Sequence, residues 1–259
     1  MLVNGTGHLM TGIADREKEI LKLLSEGTRI SVPDLSRRLG VSEVTIRKDL
    51  KGLSGKGLMV LGRGAARPAF HPGILARQEH RVEEKNRIAR AAAGLIHDGD
   101  RVLLVAGTTT ALVARHLFGK RDVHLVTSST LVLPHIRANP AVTVTLVGGE
   151  FRPETEGLVG PVALQAIRQF HARYVFLGTD GFTIEKGVTA HLVEEAEVAR
   201  AMAAQAETAV LLADSSKLGK TGFAHMLPLS RVGLLITDTG LDDAAVERLT
   251  GLGLEVRRV

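Results

Sequence analysis

Four short segments combine glycine with clustered hydroxyl groups: Gly107-Thr108-Thr109-Thr110, Thr127-Ser128-Ser129-Thr130, Gly178-Thr179-Asp180-Gly181 and Asp214-Ser215-Ser216-Lys217. Glycine lets a backbone approach a ligand closely, while hydroxyls and free backbone N–H groups suit phosphate oxygens, with Lys217 as a counter-charge. Each segment follows a short apolar run, so each reads as a loop leaving a strand. Taken singly, such residues are ordinary turn and N-cap chemistry, and Asp180 and Asp214 can serve as caps. Four of them at the same kind of position point instead to a ligand site, because ligands of open α/β sheets bind outside the carboxyl ends of the strands. Lys186 reads as a solvated loop charge.

A second constellation is basic and lies near the N-terminus. Ser31 to Leu53 reads SVPDLSRRLGVSEVTIRKDLKGL. Ser31, with Asp34 three residues on, opens one helix that stops at Gly40, and Ser42 opens the next through Leu53. On that helix Ile46, Leu50 and Leu53 share an apolar stripe while Arg47, Lys48 and Lys51 face away. An earlier helix begins at Asp15 and carries Ile20, Leu21, Leu23 and Leu24 before Gly27. Three short helices with a tight Gly40-Val41-Ser42 turn make a helix-turn-helix, whose second helix enters the major groove. Thr45, Arg47 and Lys48 then reach phosphates and base edges. Leu58 to Leu61, followed by Arg63, reads as a β-wing, and Ser31, Arg38, Ser42, Lys51 and Arg63 complete the expected DNA contacts.

The elements that must position these groups form a repeating pattern. Apolar runs at Val102–Val105, Val123–Val126, Val142–Val147, Tyr174–Leu177, Val210–Ala213, Leu234–Thr237 and Leu254–Val256 alternate with helical stretches. Runs apolar on both faces belong to a buried parallel sheet, so the fold class is α/β: a small winged helix-turn-helix before a larger Rossmann-like domain. The expected organisation is a DNA-binding domain over residues 10–67, a proline- and glycine-containing linker over 68–78, and a sensing domain over 79–259, with residues 1–9 a glycine-rich extension. A long amphipathic segment from Glu79 to Ile96 opens the second domain.

Charge and composition agree with this division. Residues 15–67 carry twelve Lys or Arg against seven Asp or Glu, so the whole net charge of +5 lies there and the rest of the chain is balanced. A basic head on a neutral body suits nucleic acid. The chain has no cysteine and is only 3% aromatic, which excludes disulfides and thiolate metal sites and leaves few platforms for stacking single-stranded bases. No stretch approaches the ~20 apolar residues of a membrane span, and Met1 to Thr11 has no basic region leading into an apolar core. A cytoplasmic protein without membrane association is expected. No metal or cofactor is expected either: His191-Leu192-Val193-Glu194-Glu195 lacks a second histidine, and Gly62-Arg63-Gly64 lacks the third glycine of a dinucleotide fingerprint.

VSEVTIRKDL, followed by Gly57-Leu58 and Arg63-Gly64-Ala65, resembles the N-terminal signature of DeoR-type regulators. The resemblance runs on through Glu84-Lys85-Asn86-Arg87-Ile88-Ala89, Asp98-Gly99-Asp100, Gly107-Thr108-Thr109, Gly148-Gly149, Gly178-Thr179-Asp180-Gly181 and Asp214-Ser215-Ser216-Lys217, covering roughly Met10 to Asp238. It implies a sensor folded like sugar-phosphate isomerases and controlled by a phosphorylated sugar or related metabolite, with Gly107, Thr108, Thr109, Thr127, Ser128, Gly148, Gly149, Asp180 and Lys217 as effector contacts. The implied function is a DNA-binding regulator, a repressor of a carbohydrate catabolic operon. Three positions depart from the family pattern: Val105 stands where aspartate is usual, Ser128 where asparagine is, and Ala199 where lysine is common. The effector is accordingly expected to be less rich in hydroxyls.

The alternative is a phosphosugar isomerase carrying a basic N-terminal module. Proton transfer between adjacent carbons needs a positioned base and a partner for the enediolate, for which Asp180 and Lys186 could be proposed. Val105, Ser128 and Ala199 remove polar groups from the pocket, which disfavours catalysis. A nucleoid protein without ligand control leaves the hydroxyl loops unexplained. Paired half-sites on DNA imply a homo-oligomer, a dimer or tetramer.

Overall fold

A computed structural model of the chain describes residues 15–25, 30–55, 58–62, 65–137 and 139–259. The expected extension at residues 1–9, the helix stop at Gly27 and the wing residue Arg63 lie outside these. The chain divides into two units, Met1–His80 and Arg81–Val259.

In the first unit, α1 (Asp15–Ser25), α2 (Val32–Leu39) and α3 (Glu43–Gly55) precede a β1 (Met59–Gly62) and β2 (Ala65–Pro68) hairpin. Ser31 forms a capping box at the start of α2, its hydroxyl accepting from the Asp34 amide while the Asp34 carboxylate accepts from the Ser31 amide. Gly40 ends α2 at φ 65°, a left-handed turn that costs glycine nothing. The Ser36 hydroxyl donates to the Val41 carbonyl at 2.6 Å, fixing the turn into α3. Ile20, Leu24, Leu35, Ile46, Leu50 and Leu53 form the core of this unit. Antiparallel β1 and β2 pair from Met59 with Pro68 to Gly62 with Ala65, giving the expected wing.

The expected linker over 68–78 requires correction. Its second half is α4 (Pro72–Glu79), with Ile74 and Leu75 buried and Leu75 joining the core of the first unit. Two prolines and a glycine suggest a break, but Pro72 sits at the start of the helix, where a missing N–H costs nothing, and His71 caps the Gly73 amide. Within the amphipathic segment expected from Glu79 to Ile96 lies one helix, α5 (Val82–Ala93), which buries Ile88, Ala89, Ala92 and Ala93 and starts after Arg81, whose backbone is left-handed at φ 51°.

The second unit is built on a seven-stranded parallel sheet. Its strands are β3 (Arg101–Leu104), β4 (Val123–Thr127), β5 (Val142–Leu146), β8 (Ala172–Leu177), β11 (Ala206–Leu212), β13 (Leu234–Thr237) and β14 (Glu255–Arg258), in spatial order β14-β13-β11-β8-β3-β4-β5. All seven runs expected as strands belong to it. Between them lie α6 (Thr108–Arg115), α7 (Leu133–Ile136), α8 (Gly160–Ile167), α9 (Val193–Ala204) and α10 (Asp243–Gly251). Leu103, Val175, Leu177, Leu211 and Leu235 are wholly buried, as strands covered on both faces must be. Two small antiparallel sheets were not foreseen: β6 (Glu150–Arg152) with β7 (Gly157–Val159), and β9 (Gly181–Thr183), β10 (Gly187–Ala190) and β12 (Ala224–Leu227) in the order β12-β10-β9. Among the described residues no helix is long and apolar enough to cross a membrane.

Candidate functional site

The exposed face of α3 follows from its period. Ile46, Leu50 and Leu53 are buried, which turns Arg47, Lys48 and Lys51 outward, all exposed. Ser42 caps the helix, its hydroxyl accepting from the Thr45 amide at 3.2 Å and lying 2.9 Å from the Thr45 hydroxyl. Arg47 is lightly held by Glu43 at 3.3 Å, a surface pair easily exchanged for a phosphate. Arg16 on α1 grips Asp49 at 2.6 Å, bracing α3 from behind, and that bond raises the Arg16 pKa. Ser31 is committed to its capping box; its hydroxyl, ahead of Arg37, holds Asp34 below the ordinary carboxylate value. Arg38 is exposed near the end of α2. Sequence reasoning passed over Val44, which is 77% exposed. It shares one helical stripe with Arg47, Lys48 and Lys51, at spacings of three, four and seven residues, and that spacing is the signal that could have found it. An exposed apolar group on such a face suits a thymine methyl.

In the second unit, β11, β8, β3, β4 and β5 are consecutive and parallel, so the loops after them leave one edge of the sheet. At these carboxyl ends stand Lys217, Asp180, Gly107 with Thr108 and Thr109 of the first turn of α6, Thr127 at the end of β4 with Ser128, and Gly148 and Gly149, respectively. Contacts stitch neighbours together. The Ala106 amide donates to the Ser128 hydroxyl at 3.2 Å, a Cβ added at Gly178 would meet the Thr110 methyl group at 3.9 Å, and Gly219 donates to the Phe182 carbonyl at 2.9 Å. Gly107 sits at the N-cap of α6, leaving the helix N-terminus without a side-chain cap. Backbone N–H groups there suit an anion. Buried Thr110 donates to the carbonyls of Val105 and Gly107, at 2.7 and 3.0 Å, and so shapes the loop from inside.

Several predicted contacts already have structural duties. Thr127 donates to the Leu104 carbonyl at 2.8 Å and accepts from the Ser129 amide, tying β4 to β3. Asp180 accepts from the His191 amide at 2.8 Å, holding the start of β9 to the end of β10. Gly149 has φ 111°, and a Cβ there would lie 2.5 Å from the Val159 carbonyl oxygen, so close packing dictates that glycine. Gly148, also left-handed at φ 75°, makes the adjoining turn. Lys217 ends a 3-10 turn that Asp214 caps by accepting from the Ser216 amide.

Two features of this edge were not read from the sequence. Glu156, on the turn between β6 and β7, is buried against Thr130, and burial raises its pKa despite the Thr130 hydrogen bond. Arg81 reaches Ser215, Asp214 and Asp238. Nothing in a local pattern announces either one, since both depend on pairing between distant segments.

A winged helix-turn-helix with an exposed basic helix face, joined to an α/β unit with hydroxyl-rich segments on one sheet edge, defines a DNA-binding transcription regulator with a sensor domain. The chain belongs to the DeoR family: residues 16–69 match the DeoR-like helix-turn-helix domain and residues 80–239 the DeoR C terminal sensor domain. A protein of Escherichia coli O157:H7, named for transcriptional repression of the aga operon, is 32% identical over 253 residues, 95% of this chain and 94% of its own. The HTH-type transcriptional repressor GlcR of Bacillus subtilis strain 168 is 34% identical over 246 residues, 93% of this chain and 95% of that protein. Among solved structures, a D-ribose-5-phosphate isomerase in complex with phospho-erythronic acid is similar over 52% of this chain and 53% of its own, at 18% identity and a TM-score of 0.39. Family membership makes the chain a regulator and sets the isomerase alternative aside.

Proposed function

We propose that this chain represses a carbohydrate catabolic operon and releases its operator when a phosphorylated sugar or related metabolite binds the carboxyl edge of the parallel sheet. The observation that carries this reading is the convergence of five loops on one edge, with the uncapped start of α6 among them. Phosphate is received by the Gly107, Thr108 and Thr109 backbone, with Lys217 as counter-charge, and Asp180 and Ser128 meet the hydroxyl-bearing end. Buried Val105 stands where the family usually has aspartate, and favours a ligand with fewer hydroxyls there. On DNA, Thr45, Arg47, Lys48 and Lys51 of α3 enter the major groove, Ser42, Arg38 and Arg63 contact phosphates, and Ser31 holds α2 in place. Two copies bind paired half-sites. The names of the relatives, both transcriptional repressors and one of them of an operon, support the direction of control.

The test is a thermal-shift screen of the intact protein against pentose and hexose phosphates at millimolar concentration. A ligand at about 100 times its Kd stabilises by about 2.7 kcal/mol, or roughly 5–10 °C for a domain of this size. The shift is expected to vanish in Lys217→Ala, and the same ligand to weaken operator binding. A screen in which no phosphorylated metabolite stabilises the protein defeats the reading.

A further inference from the structure

Arg81 is the first residue of the sensor unit and follows His80, the last of the DNA-binding unit. Its backbone is left-handed, at φ 51° and ψ 50°, a conformation that L residues other than asparagine and aspartate rarely take. What faces it explains how that conformation is held. The guanidinium Nη1 donates to the Ser215 hydroxyl at 3.3 Å and lies 3.7 Å from an Asp238 oxygen and 3.5 Å from Glu84, while Nε lies 3.6 Å from Asp214. Asp214 and Asp238 are each only 2% exposed. Buried carboxylates need compensation, and Arg81 brings a positive charge to both.

The rest of the network is tightly made. Asp238 accepts from the Ser215 amide at 2.6 Å, the Ser215 hydroxyl at 3.0 Å and the Gly240 amide at 2.9 Å. Burial alone would push its pKa up; these donors and Arg81 more than offset that and hold it low. Asp214 caps the turn that ends at Lys217. One turn therefore carries the lysine assigned above to phosphate and two of the groups, Asp214 and Ser215, that grip the residue joining the two units.

We infer that Arg81 is a positioning residue that couples occupancy of the Ser215–Lys217 turn to DNA binding. The inference rests on the proposed effector site. Drawing Lys217 onto a phosphate shifts Ser215, loosens the guanidinium and frees the Arg81 backbone to leave its left-handed state, which redirects the chain at the junction. A ligand can act at a distance only through an element with two such states. Loss of the clamp mimics the effector.

The experiment is a double-mutant cycle on the full chain that uses no effector. The probe is a 30-bp duplex enriched by the wild-type protein from a random library, and the readout is its Kd by fluorescence anisotropy. Arg81→Met and Asp238→Asn are each expected to weaken binding by about five-fold, the low end of usual coupling, and the double variant by no more. Arg81→Lys, which keeps the charge but not the fork that meets Asp214 and Asp238 together, is expected to fall between wild type and Arg81→Met, at about two-fold. Single variants that melt earlier yet bind DNA as the wild type does would overturn the inference, since the cluster would then only hold the sheet edge. So would singles that multiply to about 25-fold in the double, because the residues would then act separately. If Asp238→Asn does not fold, Arg81→Met against Arg81→Lys decides: binding that weakens from wild type through Arg81→Lys to Arg81→Met supports coupling and equal binding overturns it. Failure of this cycle is distinct from failure of the effector reading, which is judged by the thermal-shift screen alone.

Discussion

Thr110 is wholly buried at the third position of α6, and its hydroxyl donates to the Val105 carbonyl at 2.7 Å and the Gly107 carbonyl at 3.0 Å. Thr110→Val keeps the shape and removes that donor. Gly107 retains a bond from the Ala111 amide, so the loss falls on the Val105 carbonyl. Removing one partner of a buried hydrogen bond costs about 1–3 kcal/mol, and the added methyl group recovers part of it, leaving roughly 1–2 kcal/mol. For a unit of this size that is about 3–6 °C in melting temperature. Thr110→Ser keeps the donor and loses only one buried methyl group, so it is expected to cost less. The assay is a calorimetric melt of the intact protein, following the transition of the sensor unit, with the phosphate-dependent shift measured alongside. The phosphate response is expected to fall in Thr110→Val and to survive in Thr110→Ser. A Thr110→Val protein that melts within about 1 °C of wild type, or a serine variant as damaged as the valine one, refutes the claim that this hydroxyl shapes the loop.

Gly149→Ala combines a φ of 111° with a Cβ placed 2.5 Å from the Val159 carbonyl oxygen, so it is expected to destabilise the sensor unit by more than about 3 kcal/mol, seen as a large drop in melting temperature; an unchanged melt would rule out the close approach. Burial, with Arg115 and His116 adding to it, pushes the His135 pKa down to about 4, so the unfolded chain binds the proton first. Its contribution is complete above about pH 6.5 and is lost as pH falls toward the folded value, at most on the order of 3 kcal/mol. Melting temperature plotted against pH is expected to fall less steeply over that window in His135→Asn. Val44→Ala is expected to leave stability within about 0.5 kcal/mol, because the side chain is exposed, while weakening selection for one base pair by roughly 1 kcal/mol in a library enrichment; an unaltered enriched sequence removes Val44 from the reading face.

Much of this architecture was legible because its signals are local. The seven parallel strands announce themselves as apolar runs buried on both faces, and Ser31, Gly40 and Ser42 mark helix ends by their own chemistry. Strands β6, β7, β9, β10 and β12 are only three or four residues long and gain their stability from pairing, so no period of two could develop in them. The linker was misread because proline breaks a helix interior but favours its first turn, and only the burial of Ile74 and Leu75 decides between the two. At the candidate site, residue type and loop position were readable, whereas the division of labour was not. Thr127 and Asp180 are bound into the backbone of neighbouring strands, and the grip of Arg81 on Asp214 and Asp238 spans more than a hundred residues of sequence.

The central claim is that α3 reads DNA with its exposed basic stripe. Its most direct test is the affinity of the intact Arg47→Ala protein for the enriched duplex and for a scrambled one of equal length. If Arg47 reaches a base edge, specific affinity falls by roughly 1–3 kcal/mol with little change on the scrambled duplex; if it meets phosphate alone, both fall together and the salt slope drops by about one. Wild-type affinity for both duplexes would contradict the placement of α3 and, with it, the account of how this chain finds its operator.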